Sequence, residues 1–305
     1  MGKYLLKRVI LAAVTIWAVA TITFVLMNMV PGGPFLSEKA ISPAATAALE
    51  AKYGLDKPFG ERYLTYLKDA LHGDFGLSLK QRGRTVSGII AAKFPVSAKV
   101  GGIAVLVSLL LGIPLGVIAA YKRGTTIDSV FSVVATLGIA VPSFVVCTVL
   151  MYFLGVKLGI LPTLGLTSWK NYIMPVFALS AYPTSYIMRL MRSSMLDVLG
   201  QDYMRTAKAK GLSQKVSLFK HALRNAILPV ITYLGPMVAY TLMGSFIVEK
   251  IFTIPGLGGE FIKAINGRDY TMIMGTTIFL GTFMVFMLLI VDIVYTIVDP
   301  RIKLK

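Results

Sequence analysis

Six stretches of this chain carry no Asp, Glu, Lys, Arg or His: Val9–Val30, Val100–Ala120, Ser129–Val156, Asn171–Met188, Ala226–Val248 and Tyr270–Val291. A helix needs about 20 apolar residues to cross the roughly 30 Å hydrocarbon core of a bilayer, and the six meet or approach that length. The fourth is short and carries Pro175 and Pro183. The third is longer than a crossing requires, so it must tilt or run on into a loop. The pattern predicts an all-α integral membrane protein with six transmembrane helices.

Composition agrees. Of the 305 residues 56% are hydrophobic and 15% charged, against about 25% charged in a soluble domain, and mean hydropathy is +0.74. The net charge of +17 could suggest a nucleic-acid partner. In so apolar a chain, basic inner loops and anionic lipid account for it, and no nucleic acid is expected. Cys147 stands alone, so no disulfide framework exists. His72 and His221 are far apart without a second cysteine, and no metal site is expected.

The first run follows Lys3, Lys7 and Arg8, like the basic start of a signal peptide. Its apolar part exceeds the roughly 7–15 residues of such a segment, and Asn28-Met29-Val30-Pro31-Gly32-Gly33 lacks a small-x-small cleavage pattern. It reads as a retained span. With the N-terminus inside, the inner segments hold sixteen Lys and Arg and the two short outer loops five. The bias places both termini in the cytoplasm.

The chain therefore divides into an N-terminus and first span (1–30), a long outer segment (31–99) and a core of five spans (100–305). The outer segment mixes charges with Tyr53, Tyr63, Tyr66 and Phe75. Its aromatic content argues for a folded lobe or lid rather than a disordered loop. Ile41–Tyr53 and Glu61–Leu71 have helical composition, with Ser42 as a candidate N-cap.

A large inner loop spans 189–225. Arg189–Leu199 continues the fourth span as a basic helix, and Gly200 ends it. A new short helix begins at Gln201-Asp202, where the macrodipole favours an anion. It runs through Tyr203-Met204-Arg205-Thr206-Ala207-Lys208-Ala209-Lys210 and stops at Gly211. Ser213 can cap the next helix, which leads through His221 to the membrane at Ile227-Leu228-Pro229. The residues alone leave two readings. Small Ala207, Ala209 and Gly211 would let another protein approach closely, as in a groove. Alternatively, the loop is an amphipathic segment held by anionic headgroups.

The stretch Arg205-Thr206-Ala207-Lys208-Ala209-Lys210-Gly211, followed by Asn225-Ala226-Ile227-Leu228-Pro229, resembles the signature loop of importer-type ABC permeases. That motif has a Glu-Ala-Ala core, a glycine four residues on, and Leu-Pro at the next span. Ala207 matches the second alanine and Gly211 the glycine. The chain departs at Arg205 and Thr206 and has a longer interval to Leu228-Pro229, and both departures resemble the dipeptide and oligopeptide branch. Further matches are Met29-Val30-Pro31-Gly32-Gly33-Pro34, Tyr53-Gly54-Leu55-Asp56-Lys57-Pro58, Gly73-Asp74-Phe75-Gly76, Pro142-Ser143-Phe144, Arg192-Ser193-Ser194-Met195, Ile254-Pro255-Gly256-Leu257-Gly258 and Val298-Asp299-Pro300-Arg301. They cover nearly the whole chain, which looks most like the first of the two permease subunits of an oligopeptide importer.

The resemblance implies the type I importer permease architecture, with an outer lobe after helix 1 and a coupling helix between helices 4 and 5. It implies a bacterial or archaeal cytoplasmic membrane and a set of partners. These are a second homologous permease, two ATPase subunits, an extracytoplasmic peptide-binding protein and a peptide substrate. Gly200–Ser213 would be the coupling helix that docks on an ATPase subunit. Asp202 and Arg205 would provide polar contacts, and Ala207 and Gly211 a close fit. ATP and Mg would bind the ATPases. Independently, the sequence has no Gly-x-x-x-x-Gly-Lys-Ser/Thr phosphate loop, no triad and no paired-carboxylate site. No catalytic residue and no cofactor site is expected in this polypeptide.

An ion-coupled carrier usually places ionisable residues near mid-membrane, and the six runs have none. Asp292, in the last helix, lies about two turns from Asp299, where snorkelling or an inner basic partner would satisfy it. Tyr233, Met237, Tyr240 and Met243 share a broad face of the fifth span. They could line a pliable pathway or pack against another helix. Gly112-Ile113-Pro114-Leu115-Gly116 is a small-xxx-small site expected to pack against a helix, and Pro142, Pro229 and Pro236 suggest bends. Besides an ABC permease subunit for peptides, three readings stand: the same machinery with nickel, glutathione or sugar as cargo, an ion-coupled carrier, and a membrane scaffold.

Overall fold

A computed structural model describes residues 2–31, 33, 43–213 and 216–298. Among these the fold is built of helices joined by turns, with one isolated antiparallel bridge between Leu77 and Thr85. Four helices are long and apolar enough to cross a membrane: α1 (Gly2–Met29), α4 (Val86–Tyr121), the segment Leu228–Ile251, and α13 (Tyr270–Val298). Ser42, Asp299 and the side chain of Asp292 lie outside the described residues.

The third apolar run is not one helix. It breaks into α5 (Thr126–Ala140) and α6 (Ser143–Leu150), with α6 continued by a π-helical turn to Lys157, and the two halves meet at 103°. Pro142 supplies no N–H and pushes Val141 to extended geometry, φ −80° and ψ 120°. The fourth run becomes α7 (Ile173–Leu199), entered through a turn in which Ser168 and Asn171 cap each other. With Ser180, Ser185, Arg189 and Arg192, this helix is too polar to count as a span on composition. Its surroundings explain that. Met174, Val176, Ile187, Met188, Met191 and Met195 are buried in protein, so protein rather than lipid receives much of its surface.

The described residues divide into two compact units, those up to 96 with 255–286, and 97–254 with 287–298. In the first, α3 (Phe59–Leu71) lies against α1. Phe24, 3% exposed, is ringed by Phe59, Tyr63 and Tyr66 with centroids 5.3–5.4 Å away, and the Thr21 and Tyr63 hydroxyls are hydrogen-bonded at 2.7 Å. Helix α2 spans Pro43–Lys52. A second core joins Val86, Ile89 and Ile90 to Leu257 and Ala264 of α12 (Leu257–Gly267) and to Met272 and Ile273 of α13. The irregular segment before α4 is pinned there by Asp269, 2% exposed. Its carboxylate accepts from the Ser78 hydroxyl, the Leu79 amide (3.1 Å) and the Met272 amide (3.2 Å), so it caps α13 as well.

In the second unit α7 is the axis. Gly112 and Gly116 of α4 press on it so closely that a Cβ at Gly116 would sit 2.6 Å from the Met188 carbonyl oxygen and the Met191 Cβ. Gly138 of α5 lies as close to Ser185. The small-xxx-small expectation thus finds its partner helix in α7. Several threonines in the helices satisfy themselves locally, as an apolar surrounding favours: Thr15, Thr136, Thr148 and Thr241 each donate to the carbonyl four residues earlier at 2.7–2.8 Å.

Candidate functional site

The loop between α7 and the next span folds as expected from its glycines. Helix α7 ends at Leu199 with Gly200 as its cap. Helix α8 runs Asp202–Ala209, and Gly211 then takes the left-handed conformation, φ +72°. A Cβ at Gly211 would meet nothing within 4 Å. The glycine is therefore required by backbone geometry and not by crowding within this chain. Ser213 Oγ accepts from the Val216 amide at 3.4 Å. The helix it opens takes π geometry over Ser217–Ala222 and passes through α9 (Leu223–Ala226) into α10 (Leu228–Leu242).

Helix α8 is held by its inner face. Met204, 1% exposed, enters the core formed by Met191, Met195, Ala222 and Ala226, and Ala207, one turn on, is 8% exposed. The Asn225 side-chain amide donates to the Tyr203 hydroxyl at 2.9 Å, tying α8 to α9. The outer face carries Asp202 and Arg205, with side chains 95% and 80% exposed and a loose 3.5 Å contact between them. At that exposure the contact adds almost nothing to stability, so both groups are available to another molecule.

The expected site residues therefore separate. Asp202 and Arg205 point outward, Gly211 shapes the turn, and Ala207 packs into its own chain. Sequence reading missed Met204 as the anchor, although Met204 and Ala207 at i and i+3 are an apolar stripe on an otherwise polar helix. It also missed the apolar rim: Tyr203, Leu212 and Phe219 are 41%, 39% and 61% exposed around the loop.

The four residues of the fifth span do not share one environment. Met237, 3% exposed, is in the core, and the Tyr233 ring lies 4.3 Å from that of Tyr186 on α7. Met243 is half-buried, and Tyr240 is 68% exposed. The span itself breaks after Met243, where Ser245 caps α11 (Phe246–Ile251).

Residues 112–304 match the family described as binding-protein-dependent transport system inner membrane component, and residues 1–100 match its N-terminal companion. The dipeptide transport system permease protein DppB of Bacillus subtilis is 46% identical over 304 residues, covering 100% of this chain and 99% of that protein. The oligopeptide transport system permease protein OppB of Haemophilus influenzae is 40% identical, covering 99% and 100%. Among solved structures, a chain of the inward-facing MetNI methionine ABC transporter superposes with a TM-score of 0.58 at 15% identity, covering 69% of this chain and 96% of that one. That likeness concerns the fold.

Proposed function

Because this chain belongs to the binding-protein-dependent transport system inner membrane components, we propose that it is the membrane-spanning permease subunit of an ATP-driven dipeptide or oligopeptide importer. The single observation that carries this reading is the end-to-end match, at 38–46% identity, to permeases named for dipeptide and oligopeptide transport. The subunit crosses a bacterial or archaeal cytoplasmic membrane six times, with α7 as the fourth crossing, the bent α5–α6 pair as the third, and both termini inside. The segment 31–99 is the outer lobe that meets a peptide-binding protein. A second, homologous permease completes the pathway, to which α10 contributes Tyr233 and Tyr240.

Energy comes from two separate ATPase subunits. Helix α8 is the coupling helix. Its exposed Asp202 and Arg205, with the apolar Tyr203, Leu212 and Phe219 around them, give it the mixed character of a docking surface: apolar contacts for affinity and charges for register. Met204 and Ala207 transmit the ATPase's movement, because they seat α8 on the bundle that contains α7.

The test is co-purification in mild detergent from the native membrane. Wild type is expected to bring down an ATPase and a second permease. Gly211→Arg is expected to lose the ATPase while keeping the permease. Gly211→Asn, which tolerates the left-handed backbone, is expected to keep both. A wild-type chain that purifies alone would end the coupling-helix reading.

A further inference from the structure

Tyr182, Tyr186, Arg189 and Ser193 follow one another at helical spacing and make a single exposed stripe along α7. The opposite face of the helix is buried through Ile187, Met188, Met191 and Met195. Facing the stripe are Ser132 and Thr136, one turn apart on α5, and together they border a cavity of about 610 Å³. That lies within the roughly 300–1,000 Å³ of small-molecule sites. The walls are rich in hydroxyls and aromatic rings. The Tyr182 and Tyr186 rings are stacked at 6.2 Å, and Tyr233 backs Tyr186 at 4.3 Å.

Two guanidinium groups reach this cavity, and their states differ. Arg192 is neutralised by Asp128, Nε to Oδ1 at 2.6 Å and Nη2 to Oδ2 at 2.8 Å. Arg189 is exposed and has no carboxylate partner among the described residues. Its fork of five N–H donors fits a carboxylate. Turning such a group and two tyrosine hydroxyls towards lipid tails would be costly, which favours a polar occupant over lipid tails at this stripe.

We propose that this cavity is a holding site for a short peptide with a free C-terminal carboxylate. Arg189 takes the carboxylate, Ser132, Thr136 and the tyrosine hydroxyls meet the peptide backbone, and the stacked rings accept side chains of any kind. This deepens, and rests on, the reading of the chain as a peptide permease. It places the substrate contact on α7 and α5, while the fifth span contributes the Tyr233 ring.

The experiment uses the assembled importer in vesicles, with a photo-reactive benzoylphenylalanine in place of Ile139, which also lines the cavity. The probes are a radiolabelled tripeptide and its C-terminal amide, supplied with the binding protein and ATP. The free acid is expected to label the chain in preference to the amide. Losing a charge-assisted hydrogen bond lowers occupancy about tenfold, so Arg189→Gln should erase that preference and cut uptake, and Arg189→Lys should restore part of both. Continued co-purification of the ATPase shows that the variants fold. If the importer takes up tripeptide but labelling ignores the carboxylate and Arg189, or captures phospholipid instead, the holding site is wrong and the permease reading stands. If the wild-type assembly imports no peptide, the permease reading itself fails and the site with it.

Discussion

The Arg192 guanidinium clasps the Asp128 carboxylate with two parallel hydrogen bonds, 2.6 and 2.8 Å, across 64 residues of sequence. Asp128 also accepts from the Gly124 amide at 3.0 Å, so one side chain both locks the start of α5 and fastens it to α7. Asp128 has 7% of its side chain exposed and Arg192 30%. The pair stands three residues beyond Arg189, next to the proposed peptide site.

Removing either partner loses two charge-assisted hydrogen bonds and leaves the other charge unpaired, at a cost of about 1.5–3 kcal/mol. Asp128→Asn and Arg192→Gln should each lower the unfolding temperature of the detergent-solubilised chain markedly. The double variant should lose less than the two single losses combined. Strict additivity in the four-protein cycle would show that the clasp contributes no coupling.

Gly116 is needed for space rather than for backbone conformation, since a Cβ there would meet the backbone and side chains of α7 at 2.6 Å. Gly116→Leu should push α4 off α7 and cost at least the roughly 1–3 kcal/mol of an overpacked core. Its readout is a broadened, aggregated profile in size-exclusion chromatography. Gly124→Ala is the comparison. At φ +76° with nothing within 4 Å, it should cost only about 1 kcal/mol of backbone strain and elute like wild type.

Met204→Ala should free α8 from the bundle. A buried methionine reduced to alanine costs about 2–5 kcal/mol. Concentrated on one short helix, that corresponds to at least about thirtyfold faster amide exchange over 202–209. Tyr203→Phe removes only the hydrogen bond to Asn225, worth about 1 kcal/mol, and should speed exchange less. Equal exchange in Met204→Ala and wild type would mean that α8 is held by something other than its buried face.

Glu260 predicts an acid limit for the first unit. Burial pushes its carboxyl upward, but the Lys263 hydrogen bond and charge, Lys93 and Gln81 together hold it below the ordinary glutamate value of 4.5. A carboxyl whose folded pKa is depressed stabilises the fold above its unfolded pKa and loses that contribution as pH falls through the folded value. Wild type should therefore lose stability below about pH 4.5. Glu260→Gln should flatten that part of the curve, measured by unfolding at pH 3 to 6. Identical acid limbs in the two proteins would remove Glu260 from the account.

Much of this architecture was legible in local sequence. Hydropathy located α1, α4, the fifth span and α13 because bilayer thickness sets a length that no soluble helix needs to meet. Pro142 announced a bend but not its 103°, since the angle depends on what α5 and α6 pack against. Helix α8 was visible through Gly200 and Gly211, which punctuate the chain by backbone physics alone. The orientation of that helix was not visible. Ala207 read as a small residue left open for a partner, yet it is buried in its own chain because Met204, one turn earlier, finds a pocket of methionines from α7. The fifth-span face of Tyr233, Met237, Tyr240 and Met243 separated for the same reason: helical spacing fixes the angles between side chains but not which neighbour stands at each angle.

The sequence by itself determined that this chain lives in a membrane, roughly where its helices run and which family it resembles, because solvent preference, helix length and glycine geometry are properties of short segments. Tertiary structure alone decided that Arg192 is neutralised while Arg189 has no carboxylate partner among the described residues, that Gly112 and Gly116 serve α7, and that Met204 rather than Ala207 anchors α8. Each of these depends on which distant residue occupies the adjoining space, and only packing settles that.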